Sequence, residues 1–156
     1  MSPETSETRE NGTTTEFVHG TIEDGIATLT LDSPAKRNAL SAQLVGELMA
    51  HLSVAGVEPG VRAVVLTHSG STFCAGADLA ESARGGGPMQ GTERLVGLLR
   101  QIIEMPKPVV AVVDGNVRAG GLGLLGACDL AFVSRSSSFA FTEVRLGVAP
   151  AIISLT

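Results

Sequence analysis

The sequence lacks the features that mark several functional classes. It has no surplus of basic charge: 11 Lys and Arg stand against 16 Asp and Glu, for a net charge of −5. The cations are scattered from Arg9 to Arg145, so no basic field awaits a nucleic acid. Cysteine is scarce, with only Cys74 and Cys128, far apart and without C-x-x-C spacing, which fits a reducing, cytoplasmic setting. His19, His51 and His68 share no metal-ligand spacing, so no metal site is expected. No apolar run approaches the roughly 20 residues of a membrane span, because Asp129 interrupts the longest candidate. The first 16 residues, "MSPETSETRENGTTTE", hold no apolar stretch and read as a disordered polar tail rather than a targeting signal.

What remains suits one α/β domain over residues 17–156, since 156 residues with 44% hydrophobic content build one core and scarcely two. "FVHGTIEDGIATLTLDS" alternates β-formers around Asp24-Gly25, a dipeptide that favours a tight hairpin turn. "SAQLVGELMAHLSVAG" predicts a helix capped by Ser41, with Leu44, Val45, Leu48, Met49 and Leu52 on one face. "VRAVVLTHS" and "VVAVVDG" are near-continuous β-branched runs of the kind found in buried parallel strands. "SARGGGPMQG" has the composition of a flexible loop, a helix is expected from Thr92 to "MPKP", another near Gly121, and "DLAFVS" and "SFAF" read as short strands. The chain stops at Thr156 within an apolar stretch, which implies further chain or a covering partner.

Gly121, Gly123 and Gly126 have the G-x-G-x-x-G spacing of a dinucleotide loop. That reading fits poorly, because about seven residues separate the expected strand end near Asp114 from Gly121, whereas a pyrophosphate must meet both the strand turn and the helix N-terminus. Close helix packing is a plainer use for the glycines. A third reading joins two segments: "FCAGADL" and "VRAGGLG" each set small residues just beyond a strand, where backbone N–H groups are left free to converge. Two such donors make an oxyanion hole for charge developing on a carbonyl oxygen, each worth roughly 10²–10³ in rate.

At this point the sequence resembles the crotonase family, the enoyl-CoA hydratase and isomerase group. The resemblance rests on "LDSPAKRNALS", "FCAGADL", "DGNVRAGGLGLLGACDLAF" and "FAFTEVRLGVAP" in the family's order, and it covers residues 17–156. It implies a superhelix of repeated ββα units lacking the family's C-terminal helical region, which usually closes the acyl pocket and forms trimers. It also implies a homo-oligomer, trimer or hexamer, if the chain is complete. By motif position, the oxyanion donors fall on the amides of Ala77 and Gly120. Segments like those around Ala35, Lys36, Arg37, Ala75, Asp78 and Leu79 line the family's CoA pocket. Lys36 and Arg37 either face CoA phosphates or are solvated loop charges.

The family's hydratases use two glutamates, and the resemblance places these positions at Gly123 and Glu143. Glycine transfers no proton. Glu143 is then the remaining acid–base group, its plainer alternative being a surface glutamate paired with Arg145. The implied activity is an enoyl-CoA hydratase-type lyase acting through an enolate, with no cofactor, since CoA belongs to the acyl-CoA thioester substrate. A 3,2-enoyl-CoA isomerase using Glu143 alone, or a non-catalytic CoA-binding or assembly fragment, are the alternatives.

Overall fold

The computed structural model describes residues 15–86, 88–147, 149–150 and 153; the first 14 residues of the expected tail lie outside this set. The chain opens with β1 (Val18–Glu23) and β2 (Ile26–Leu31), antiparallel about Asp24 and Gly25, which both take positive φ as the tight turn requires. Ser41 caps α1 (Ala42–Val57), its hydroxyl accepting from Leu44 N–H at 3.2 Å. The face read from the sequence is the buried one: Leu44, Val45, Leu48 and Leu52 enter the core, and Met49 packs at its margin.

After α1 a two-strand step repeats. The strands β3 (Ala63–His68), β5 (Val109–Val113) and β7 (Leu130–Val133) extend β1 and β2 into a five-stranded sheet ordered β1-β2-β3-β5-β7, parallel from β2 onward. Each is followed by a three-residue strand, β4 (Thr72–Cys74), β6 (Asn116–Arg118) or β8 (Ser138–Ala140), and these form a separate parallel sheet ordered β4-β6-β8. Helices follow the first two short strands: α2 (Leu79–Glu81) with α3 (Pro88–Ile103) after β4, and α4 (Gly120–Ala127) after β6. The expected repeated ββα architecture is therefore present. Leu98, Leu99 and Ile102 of α3, Leu124 of α4, Phe73 and the α1 leucines fill the space against the sheets.

Two expectations need correction. The segment read as a flexible loop forms a π-helical turn over Ser82–Gly86, tethered where Ser82 N–H and hydroxyl both donate to the Asp78 carbonyl at 3.0 Å. The following helix starts at Pro88 rather than Thr92, because proline at a first helical position gives up only an N–H that has no intrahelical acceptor there. Gly87 lies outside the described residues. The strands β4 and β6 were not read at all. At β7 all four residues are exposed, Phe132 among them, and Phe139 of β8 and Phe141 just beyond it are exposed as well.

Candidate active site

The loop after β2 is built around Asn38, a fully buried polar residue that the sequence reading did not single out. Its Oδ1 accepts from Ser33 N–H at 2.7 Å, and its Nδ2 donates to the carbonyls of Thr72 at 2.8 Å and Ser69 at 3.1 Å. Arg37 and Asn38 both adopt left-handed backbone conformations, which Asn tolerates better than most residues. Two backbone bonds then fasten this loop to the exit of β4: Ala75 N–H to the Arg37 carbonyl at 3.1 Å, and Leu40 N–H to the Gly76 carbonyl at 2.8 Å. The only hint in the sequence was an amide side chain standing between Arg37 and a run of apolar residues.

Beyond β4 the backbone turns at Gly76, whose φ of +88° suits glycine. Ala77 follows, exposed, and its N–H donates to no acceptor among the described residues. Beyond β6 the chain turns at Ala119, with φ 47° and ψ −123°. A non-glycine residue there stores about 1–3 kcal/mol of strain, a cost found at sites where the surroundings over-determine the backbone. Gly120 N–H, the next amide, opens α4 and likewise has no acceptor among the described residues. Each free amide thus follows a residue with positive φ.

The two turns touch. A Cβ built on Gly76 lies 2.7 Å from Ala119 Cβ and 3.2 Å from Gly120 N. A Cβ on Gly120 meets Leu40 Cδ1 at 3.0 Å and Leu95 Cδ2 at 3.3 Å. Leu40, Leu95 and Ala77 also line one small cavity of about 40 Å³, with Val45 on its apolar side and Asp78, Glu81 and Arg94 at its polar rim. The segments "FCAGADL" and "VRAGGLG" therefore meet, and small residues are required because their backbones abut.

Two glycines of the G-x-G-x-x-G run, Gly121 and Gly123, serve helix packing, while Gly126 is exposed with nothing within 4 Å of a built Cβ. A Cβ at Gly121 sits 2.8 Å from Cys74 Cβ and from the Cys74 carbonyl oxygen, so α4 rests directly on β4. Gly123 is packed by Ile153 Cγ2, 2.6 Å from its built Cβ, and by Leu99 Cδ1 at 3.2 Å. Burial pushes the Cys74 thiol up to about 12 despite the Gly76 N–H that points at its sulfur, so it is an inert packing group. Burial, helped by the neighbouring Asp129 carboxylate, pushes Cys128 to about 12 as well.

Glu143 lies in the 3₁₀ turn Thr142–Leu146 just after β8. Its Oε2 is buried without a hydrogen-bond partner, and no ion pair joins it to Arg145 among the described residues. The three strands of the small sheet thus each lead, within three residues, to one of Ala77, Gly120 and Glu143.

Of the remaining expected site residues, Lys36 and Asp78 are brought together, Nζ to Oδ2 at 3.6 Å, with the ammonium 5.6 Å from the Phe17 ring centroid. Asp78 also caps α2 through Ala80 and Glu81 N–H groups at 3.0 Å. An open cleft of about 340 Å³ runs past Lys36, Asp78, Glu81 and Arg84, sharing Asp78 and Glu81 with the smaller cavity. Ala35, Arg37 and Leu79 are exposed and Ala75 is half-buried, and none of the four lines that cleft. Glu81 and Arg94, paired at 3.5 Å, were not anticipated; Glu81 also receives Ala42 N–H at 2.9 Å and so holds the start of α1. The described residues contain no cluster of three metal-ligating side chains and no helix long and apolar enough to cross a membrane.

Residues 21–156 match the family described as enoyl-CoA hydratase/isomerase. A protein of Thermus thermophilus named as an enoyl-CoA hydratase is 39% identical over 140 residues, which are 86% of this chain and 55% of that protein. A crystal structure of an enoyl-CoA hydratase from Mycobacterium avium paratuberculosis aligns at 50% identity with a TM-score of 0.82, covering 89% of this chain and 56% of that one. An enoyl-CoA hydratase/isomerase (crotonase) structure from Legionella pneumophila aligns at 35% identity with a TM-score of 0.85, covering 91% and 57%. The chain thus spans little more than half the length of these relatives. Matched over residues 21–156 and sharing their repeated ββα architecture, it belongs to the enoyl-CoA hydratase/isomerase family.

Proposed function

We propose that this chain carries the thioester-activating part of an acyl-CoA enzyme of the hydratase type. The observation that carries the reading is that the Gly76 and Ala119 turns abut and are each followed by an amide, Ala77 N–H and Gly120 N–H, with no acceptor among the described residues, Ala77 lying on a small cavity lined also by Leu40, Val45 and Leu95. The thioester oxygen of a 2-enoyl-CoA accepts from both, and the negative charge that develops as its double bond is attacked is held there. The CoA moiety follows the open cleft, where Lys36 and Arg84 meet its phosphates. Glu143, with its buried unpartnered oxygen, takes a proton from water as oxygen adds at C3 and returns one to C2. Support also comes from the relatives, which are named enoyl-CoA hydratases. No cofactor enters the scheme.

A second reading is favoured by Gly123. The volume a second carboxylate would need is taken by Ile153 and Leu99. With one carboxylate, Glu143 removes a proton from C2 of a 3-enoyl-CoA and returns it at C4, moving the double bond into conjugation. Following the absorbance of the conjugated thioester separates the two, as loss with a 2-enoyl-CoA or gain with a 3-enoyl-CoA. Glu143→Gln is expected to lower turnover by roughly 10²–10⁴ while acyl-CoA still binds. Full activity in that variant removes Glu143 from the scheme, and binding with neither turnover in the parent chain leaves a CoA-binding or assembly role. The exposed apolar residues of β7 support burial of that face against further chain or a second subunit.

A further inference from the structure

Resting on the acyl-CoA reading above, we propose that Arg118 is a positioning residue that, with Ser138, holds Ala119 in its strained conformation and so aims the Gly120 amide. Arg118 ends β6 and is half-buried, yet no carboxylate lies within ion-pair reach of it among the described residues. Its guanidinium is spent instead on β8 and on its own strand. Nη1 donates to the Ser138 carbonyl at 2.6 Å and to the Val117 carbonyl at 2.9 Å. Nη2 donates to Ser138 Oγ at 2.7 Å and Asn116 Oδ1 at 3.0 Å, and Ser138 Oγ donates in turn to Asn116 Oδ1 at 2.6 Å. The result is a closed polar triangle across the start of the β6–β8 pair.

That pair is only three residues long on each strand, with Asn116 opposite Ser138 and Arg118 opposite Ala140. A ladder this short constrains its far end weakly. The far end is where the constraint is needed: Ala119 N–H donates to the Ala140 carbonyl at 3.2 Å, while the Gly76 turn abuts Ala119 so closely that a Cβ on Gly76 would lie 2.7 Å from Ala119 Cβ. Ala119 is thus trapped between β8 and the Gly76 turn in a conformation that alanine leaves when released. Its relaxation rotates the following peptide, and the N–H of that peptide belongs to Gly120. Glu143 stands three residues beyond Ala140, so the same clamp on β8 also holds the strand from which the Glu143 turn departs.

The test turns on Ala119, because glycine adopts that backbone conformation without strain. In Arg118→Met, kcat with an enoyl-CoA is expected to fall about 10–100-fold with KM within about threefold, part of the 10²–10³ that one oxyanion donor supplies. Arg118→Lys is expected to recover little, since one ammonium cannot serve the four acceptors of the fork. Adding Ala119→Gly to Arg118→Met is expected to restore most of kcat, although nothing in that change repairs the β6–β8 contact. A merely structural arginine predicts the reverse: KM and melting temperature move with kcat, and Ala119→Gly rescues nothing. The Gly120 amide resonance in the ¹H–¹⁵N spectrum of the full chain gives an arm independent of turnover. It is expected to shift in Arg118→Met and to return toward its original position with Ala119→Gly, and an unshifted resonance overturns the proposal. If the parent chain neither turns over an enoyl-CoA nor binds acetyl-CoA, the acyl-CoA reading fails by itself, and the amide resonance still decides the clamp.

Discussion

Replacing Gly76 with alanine adds a single methyl group, and the structure predicts an effect far larger than its size. The new Cβ would sit 2.7 Å from Ala119 Cβ and 3.2 Å from Gly120 N, both parts of a turn already strained. Overpacking of this kind costs about 1–3 kcal/mol. The φ of +88° adds about 1–3 kcal/mol for a residue with a side chain. At about 2–4 °C per kcal/mol for a chain of this size, the melting temperature should fall by roughly 5–20 °C. The comparison is Gly46→Ala, the same chemical change at an exposed position inside α1 where nothing lies within 4 Å. There alanine removes backbone freedom from the unfolded chain and should stabilise by about 0.5–1 kcal/mol. Circular dichroism melts of the two variants beside the parent suffice. A Gly76→Ala chain melting within about 2 °C of the parent, or both variants shifting in the same direction, refutes the claim that the two turns abut.

Asn38→Ala should destabilise by about 2–4 kcal/mol, read from denaturant midpoints, because it strands the Ser33 N–H and the Thr72 and Ser69 carbonyls in a buried loop. Burial opposes ionisation of Glu47, but hydrogen bonds from Gln43, Phe17 N–H and Val18 N–H, with the charge of His51, outweigh it and hold the carboxyl below its ordinary value. A carboxyl depressed in the folded state contributes stability above its unfolded pKa and loses it as pH falls through the folded one. The parent's melting temperature should therefore drop on acidification below the ordinary glutamate range, and Glu47→Gln should flatten that part of the profile; parallel profiles would count against it. Cys74 should resist a thiol reagent in the native protein at mildly alkaline pH and react only on unfolding, checked by the rate of colour release.

The large sheet was legible because its strands are long enough to show a pattern: the Asp24-Gly25 hairpin and the β-branched runs of β3 and β5 could be mistaken for little else. Of the small sheet only β8 was legible, as "SFAF"; β4 and β6 were not, since strands of three residues such as Asn116–Arg118 carry no periodicity, and the pairing of all three is decided by partners far along the chain. The sequence showed that "FCAGADL" and "VRAGGLG" share a chemistry of small residues, and their meeting is what the fold adds. Asn38, Glu81, Arg94 and Arg118 escaped notice for one reason. Each acts through partners that are remote or on the backbone, and neither kind leaves a local spacing to read. Pro88 misled in the opposite sense, since its composition suggested a loop while its ring suits a helix start.

The small sheet has a consequence for how such a chain can vary. Ala77, Gly120 and Glu143 stand three, two and three positions beyond the last residues of β4, β6 and β8. One residue inserted into any of these turns would move its own group out of phase and leave the other two in place. Residues inserted between α1 and β3 around Gly60, or between β7 and β8 around Arg135, fall outside all three turns and would leave every group in phase. Length variation among such chains should therefore gather in those outer segments. A change of chemistry, by contrast, can be made by rewriting one turn at a time, with the others still counting off the same ruler.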